Sequence, residues 1–223
     1  NLLNRYGDVA EDGTYSSPIA SPGRRFFTML GTLVQGRVSL SLAATTASFL
    51  GLHGALAYAE QRRQFKASDP QREEVLLDYQ NHQRRLIDRL ARAYADAFAS
   101  NELVEKFDDV FSGRSDTDVD RQELETLAAA VKPLTTWHAL DTLQEAREAC
   151  GGAGFLAENR VAQMRADLDV YVTFEGDNTV LLQLVGKRLL TDYSKEFGRL
   201  NVGAVSRYVV HQASDALHRA GLH

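Results

Sequence analysis

The stretch Val38-Ser-Leu-Ser-Leu-Ala-Ala-Thr-Thr-Ala-Ser-Phe-Leu-Gly-Leu-His-Gly-Ala-Leu56 decides the fold class. It holds no proline and no Asp, Glu, Lys or Arg, and Leu, Ala, Ser and Gly dominate it. The proline-free run around it extends from Phe26 to the residue before Pro70. One long helix is expected from about Arg25 to about Lys66, spanning about 60 Å at ~1.5 Å per residue. Small side chains along its middle let neighbouring helices approach closely, so this helix belongs at the centre of a bundle.

Working outward, the segment before Arg25 carries Gly7, Asp12-Gly13, Ser16-Ser17-Pro18 and Ser21-Pro22-Gly23. That density of breakers reads as loop or strand ends. Ser68-Asp69-Pro70 reads as a helix stop followed by a start, with Ser68 or Asp69 as cap and Pro70 in the first turn. A second helix is expected to about Ser100, because Val75, Leu76, Tyr79, Leu86, Leu90, Tyr94 and Phe98 recur at three- and four-residue spacing. A short helix near Glu102–Phe111 follows, then a polar loop from Ser112 to Asp120. A third long helix runs from about Asp120 to Cys150, interrupted or bent near Pro133, and Gly151-Gly152-Ala153-Gly154 stops it. Short helix is expected at Glu158–Gln163, less regular chain at Ala166–Thr173, and helix again at about Gly176–Leu190 and Val202–Ala220. The fold class is all-α, an up-and-down four-helix bundle with a loop-rich entry segment.

Composition narrows the function. The 223 residues are 44% hydrophobic and 25% charged, an ordinary globular balance that argues against disorder. The net charge of −5 and the lack of a Lys/Arg run argue against a nucleic-acid partner. Polar or charged residues break the apolar runs before the ~20 positions of a membrane span. Cys150 is the single cysteine, which points to a reducing, intracellular setting. The six histidines keep no ligand spacing with Cys or acidic residues, so no metal site is expected. The chain starts at Asn1 rather than Met, and a piece of a longer protein is expected.

Three segments carry candidate chemistry. Tyr58-Ala-Glu-Gln-Arg62-Arg63-Gln64-Phe65 closes the first long helix and, taken alone, is explained by an amphipathic helix end with cations in its last turn. Glu148-Ala-Cys150-Gly151-Gly152-Ala153-Gly154-Phe155 is explained in part by a glycine stop. Three glycines in four positions exceed what a cap requires and suggest backbone lying against something flat or bulky. Tyr171-Val-Thr-Phe174-Glu175-Gly176-Asp177-Asn178 reads as a helix start with acidic caps.

In this order and spacing the three segments resemble the acyl-CoA dehydrogenase superfamily, closest to its acyl-CoA oxidase branch. That branch has Tyr-x-x-x-Arg-x-Gln-Phe, then Ala-Cys-Gly-Gly-x-Gly-Phe/Tyr, then Phe/Tyr-Glu-Gly-x-Asn. Lys132-Pro-Leu-Thr-Thr-Trp137 and Tyr79-Gln80-x-His82-Gln83-x-x-Leu86 add to the likeness, which runs to about Tyr193.

The resemblance implies an FAD enzyme that introduces a double bond into an acyl-CoA thioester and passes the electrons to oxygen. A dehydrogenase using an electron-transfer flavoprotein and a non-catalytic helical interaction module are the alternatives. It places residues 1–25 at the end of a middle β domain, 26–193 in the carboxyl-terminal helical domain and 194–223 at the start of a further helical extension. Glu175 matches the base that takes the α-proton. Gly36-Arg37 matches the pair at which some relatives carry the base instead, and Gly36 cannot serve. Arg37, holding the carboxylate, and Gly176 are expected beside the substrate. Arg62 and Gln64 match residues that hold the FAD phosphates or adenine across a dimer interface, and Phe65 an aromatic that packs on the cofactor. Gly151 and Gly152 match backbone against its adenosine end. Asp177 stands where many dehydrogenases place Thr against FAD, a departure that Asn178 would share in covering. The implied protein is a homodimer or higher oligomer, cytoplasmic or, in a eukaryote, peroxisomal, and this chain alone is expected to be inactive.

Overall fold

The computed structural model describes residues 6–23, 25, 28, 31–66 and 69–199, with side chains of 196–199 excepted. They divide into two compact units, 1–182 and 183–223. The expected helix at Val202–Ala220 lies outside the described residues.

The loop-rich entry contains a short antiparallel pair, β1 (Asp8–Val9) and β2 (Tyr15–Ser16), in register Asp8 to Ser16. Three long helices follow: α1 (Leu33–Gln61), α2 (Gln80–Phe111) and α3 (Asp118–Ala149). After 3-10 turns at Gly151–Phe155 and Ala157–Asn159 comes α4 (Val161–Leu168). A last 3-10 turn, Asp169–Val172, leads to α5 (Asn178–Arg199).

Three apolar layers give the directions of the helices. Val34 and Val38 of α1 meet Leu103 and Val110 of α2 and Leu124, Ala128 and Val131 of α3. Ala44 and Ala47 meet Ala139, Leu143 and Leu168 in the middle. Leu52 and Ala55 meet Leu86, Ala93, Ala146 and Val161 at the other end. Residue numbers rise through these layers in α1 and α3 and fall in α2, so the three run up, down and up. The small residues of α1 allow the close approach read from the sequence: a Cβ on Gly51 would lie 2.7 Å from Leu143 Cδ2. By length and composition α1 would pass for a membrane span, which the expectation of early-broken apolar runs did not allow. Its buried hydroxyls are satisfied within the protein: Thr45 Oγ1 donates to Ser41 O and lies 3.3 Å from Ser100 Oγ. It is a core helix of this bundle.

Several expected boundaries move for tertiary reasons. α1 starts at Leu33 because Gly31 and Thr32 form a turn, with Val34 N donating to Gly31 O, which sets it apart from the helical residues Pro22, Gly23, Arg25 and Thr28 before it. It ends at Gln61, where Arg62 turns extended. Arg63 then pairs with Val75 in an antiparallel bridge, flanked by Gln64 N to Glu74 O and Leu76 N to Arg62 O. This pairing keeps the residues after Pro70 out of a helix; Asp69 instead closes its own turn by accepting from Gln71 N. The second helix does not stop at Ser100, because that hydroxyl faces Thr45 inside the bundle, and the expected short helix at Glu102–Phe111 is its continuation. α3 starts at Asp118, two residues before the expected position, on a capping box in which Thr117 Oγ1 and the Asp120 carboxylate each accept a backbone N–H from the other. It runs unbroken through Pro133, which sits fully buried. The Thr135 and Thr136 hydroxyls donate to carbonyls one turn back. The segment after the glycines is helical at Val161–Leu168, later than expected, and α5 runs past Leu190 to Arg199.

The glycine run serves two separate ends. Gly151 takes φ +55°, the left-handed region glycine favours. At Gly154 a Cβ would lie 2.1 Å from the Arg147 carbonyl oxygen, so only glycine lets the chain pass this close to the last turn of α3. At Gly152 a Cβ would meet nothing within 4 Å. Gly154→Ala should therefore cost about 1–3 kcal/mol of stability, and Gly152→Ala should stay within about 0.5 kcal/mol, as read by chemical denaturation of the two variants.

Candidate active site

The turn between the last 3-10 segment and α5 carries unusual geometry. Thr173 N and Phe174 N both donate to Val170 O. Glu175 then takes φ +57° and Gly176 φ +109°. A non-glycine residue held in the left-handed region costs on the order of 1–3 kcal/mol, so neighbours must impose it. Arg37 Nε of α1 donates to Glu175 O at 2.9 Å, and Lys132 Nζ of α3 donates to Gly176 O at 2.8 Å. Two consecutive carbonyls are thus each held by a cation from a different helix.

The Glu175 carboxylate lies against α1 at Gly36. A Cβ there would sit 2.4 Å from Glu175 Cδ and 2.6 and 2.7 Å from its two oxygens. Only glycine leaves room for this seat. Glu175 Oε2 is buried and has no hydrogen-bond partner among the described residues. Arg37 was expected to hold the carboxylate; its hydrogen bond goes instead to the backbone oxygen of the same residue.

The residues after Gly176 anchor the turn from the other side. Asp177 Oδ1 accepts from Thr179 N and Val180 N, capping α5. Asn178 is 1% exposed; its Oδ1 accepts from Lys132 Nζ at 2.8 Å and its Nδ2 donates to Thr136 Oγ1 at 3.0 Å. Read from the sequence as cofactor-binding, Asp177 and Asn178 both commit side-chain groups to the chain itself. The cap accounts for the departure noted at Asp177.

Lys132, which the sequence offered only as part of a likeness and with no role at the site, is central here. It is 0% exposed. Burial, followed by repulsion from Arg37, pushes its ammonium down to about 8, against a smaller upward pull from Asp177 and Glu175. Burial lowers Arg37 too, offset by Glu175 and Glu125. The available signal was a lone cation inside Ala128-Ala-Ala-Val-Lys132-Pro-Leu-Thr-Thr136, an otherwise uncharged run. Cys150 is buried, which pushes its thiol up and away from nucleophilic use.

The remaining site residues stand elsewhere. Arg62, Gln64 and Phe65 lie on the extended arm just past the carboxyl end of α1. Phe65 takes φ +64° and is 71% exposed, and Tyr79 Oη donates to Gln64 O. Cys150, next to Gly151 and Gly152, belongs to the same end layer as Leu52 and Ala55. From Gly36 to Gln61 the helix is unbroken, a separation of roughly 38 Å. The structure thus gathers Arg37, Glu175 and Gly176 at one place, with Asp177 and Asn178 beside them. It puts Arg62, Gln64, Phe65, Gly151 and Gly152 towards the other end of the bundle.

Solved structures with the same architecture are helical parts of acyl-CoA oxidases. Acyl-CoA oxidase 1 of Yarrowia lipolytica matches with TM-score 0.75 and 32% identity, over 92% of this chain and 31% of that one. Acyl-CoA oxidase-1 of Caenorhabditis elegans, complexed with FAD and ATP, matches with TM-score 0.74 and 26% identity, over 91% and 29%. A putative peroxisomal acyl-coenzyme A oxidase 3.2 of Arabidopsis thaliana is 42% identical over 193 residues, 86% of this chain and 28% of that protein. The model of the acyl-CoA oxidase C-alpha1 domain matches residues 30–190, and the chain belongs to that family. It spans about a third or less of the length of the curated relatives it matches.

The lowered Lys132 value has a thermodynamic consequence. Between about 8 and the ordinary 10.5 the unfolded chain binds this proton and the folded chain does not, so the group's contribution to stability grows as pH rises through that window. The denaturation midpoint of the wild-type chain should climb relative to that of Lys132→Met between pH 8 and pH 10, as followed by circular dichroism.

Proposed function

We propose that the whole protein oxidises acyl-CoA thioesters to their trans-2-enoyl forms, with Glu175 as the base that removes the α-proton. The observation that carries this reading is the Glu175 carboxylate itself: seated on Gly36, with one buried oxygen that no hydrogen bond satisfies among the described residues. A buried acceptor without a partner is costly to keep, which marks this carboxylate as a functional group rather than a packing one.

The α-proton of a thioester is weakly acidic, and its removal builds negative charge on the thioester oxygen. The Glu175 N–H finds no backbone acceptor among the described residues and is free to meet that charge. Arg37 and Lys132 add positive potential behind the turn while keeping the carboxylate in place. The fixed turn means that little of the barrier goes into orienting the base.

The residues present fit FAD as the cofactor. An exposed arginine at 62, an exposed ring at Phe65 and the open face at Gly152 offer an ionic partner, a stacking surface and close backbone approach. When bound, FAD supplies the acceptor for the β-hydrogen and its electron pair and hands the electrons to oxygen. The length of α1 supports a homodimer. A residue set roughly 38 Å from the base cannot hold the cofactor that the same chain's base works against, so it would serve the site of a second copy. Membership of the oxidase family favours oxygen over an electron-transfer flavoprotein as acceptor, and the peroxisomal relatives favour that compartment.

Glu175→Gln in the full-length holoenzyme should keep its FAD and lose on the order of 10²–10⁴ in flavin reduction by acyl-CoA. Anaerobic absorbance at the flavin band reads this, and reduction at the wild-type rate removes Glu175 from the mechanism. Admitting air to the reduced wild type should restore the band and produce peroxide; a band that stays bleached favours a separate electron carrier. Gly36→Ala, which places a methyl where the carboxylate sits, should slow the same reduction while the flavin stays bound.

A further inference from the structure

We infer that Lys132 is a positioning residue for Glu175: its buried ammonium holds the outer carbonyl of the base turn and keeps the carboxylate on Gly36. This rests on the reading of Glu175 as the base.

Lys132 reaches two acceptors, Gly176 O and Asn178 Oδ1, both at 2.8 Å and both neutral. Asn178 is in turn fixed by Thr136, one turn further along the same face of α3. A single helix face therefore grips the chain on both sides of Asp177. The strained residue needs this grip. Glu175 sits at φ +57°, and among the described residues the side chains that donate to the Glu175 and Gly176 carbonyls are Arg37 and Lys132. Asp177 spends its hydrogen bonds on the helix that follows.

The choice of a lysine argues for more than filling. A buried cation costs several kcal/mol of solvation, and an apolar side chain of similar volume would avoid that cost. It would also leave Gly176 O and Asn178 Oδ1 unsatisfied at the edge of the base turn. The charged groups that face Lys132 are Arg37 from α1 and Glu175 and Asp177 from the turn. Arg37 stays charged at any working pH. Lys132 titrates within reach of it, at about 8, so the grip on Gly176 weakens as pH rises through that value.

The test uses the full-length holoenzyme, palmitoyl-CoA as reductant under anaerobic stopped flow, and binding of hexadec-2-enoyl-CoA as a separate readout. Lys132→Met should keep FAD and bind the enoyl-CoA nearly as the wild type does, yet reduce its flavin about a hundredfold more slowly, as expected of a displaced base. The wild-type reduction rate should fall on the alkaline side, and that limb should be absent from Lys132→Met. Asn178→Asp, which puts a carboxylate beside the ammonium, should move the limb to higher pH. Wild-type rates and pH profile in Lys132→Met would overturn the proposal. Should that variant fail to fold or to hold FAD, an unmoved limb in Asn178→Asp overturns it instead. Glu175→Gln separates the two claims. If that variant reduces normally, the base assignment fails and takes this one with it. If it is silent while both other variants behave as wild type, only the role of Lys132 falls.

Discussion

The seat of the Glu175 carboxylate on Gly36 constrains everything near it. A carboxyl group can lie flat against a helix only where the helix has no Cβ, and here the two oxygens occupy the space a methyl would fill. To reach that seat the chain must enter the left-handed region at a non-glycine residue, and to stay there it must be held from outside. α1 supplies the seat and one hold, Arg37; α3 supplies the other, Lys132. The site therefore depends on the separation between α1 and α3, which the small side chains of their interface set. A change in that packing far from Glu175 would be felt at the carboxylate, because the turn is bonded to both helices at once.

The bundle also acts as a ruler. α1 and α3 run in the same direction through three layers, so their amino-terminal halves hold the Glu175 turn and their carboxyl ends carry the exposed arm and the glycine run. That run is possible because Gly154 lets the chain pass within contact of the Arg147 carbonyl, and it leaves Gly152 facing open space. Phe65 and Phe155 expose their rings near this end, Phe155 with the Arg147 guanidinium 5.4 Å from its centroid. Exposed aromatic rings beside bare backbone are a surface that gains by being covered.

Much of this was legible in the sequence because helix periodicity and small-residue content are local. The long apolar helix and the helical character of the next two followed from spacing alone. The boundaries at Pro70, Ser100 and Pro133 did not, since each was decided by a distant partner. Pairing of Arg63 with Val75 kept the chain extended after Pro70, Thr45 buried Ser100, and packing around Pro133 held an unbroken helix. The motif around Glu175 was readable as a motif, and its likeness to a family gave it a role. Its left-handed backbone was not readable, because glutamate has no preference for that conformation. Lys132 was invisible as a site residue for a similar reason: its partners lie 44 and 46 residues away. A lone lysine in an uncharged run looks the same whether it points to solvent or to a buried carbonyl.

The arrangement around Glu175 works against stability. It combines a strained backbone, a carboxylate oxygen without a partner, a buried lysine and a second, partly buried cation close enough to repel it. Each is unfavourable alone, and the pull of Asp177 and Glu175 on Lys132 does not outweigh burial and the repulsion from Arg37 together. The net cost has to be met by ordinary apolar packing in the three layers of the bundle. That division explains why the site sits on the edge of the first layer rather than inside it. A turn of this kind within the core would need its charges desolvated completely, whereas at the edge Asp177 stays exposed and Glu175 is only partly buried. Strain is tolerable at this turn because α1 and α3, the two rigid helices that hold it, are themselves fixed along their whole length by packing that does not depend on the turn.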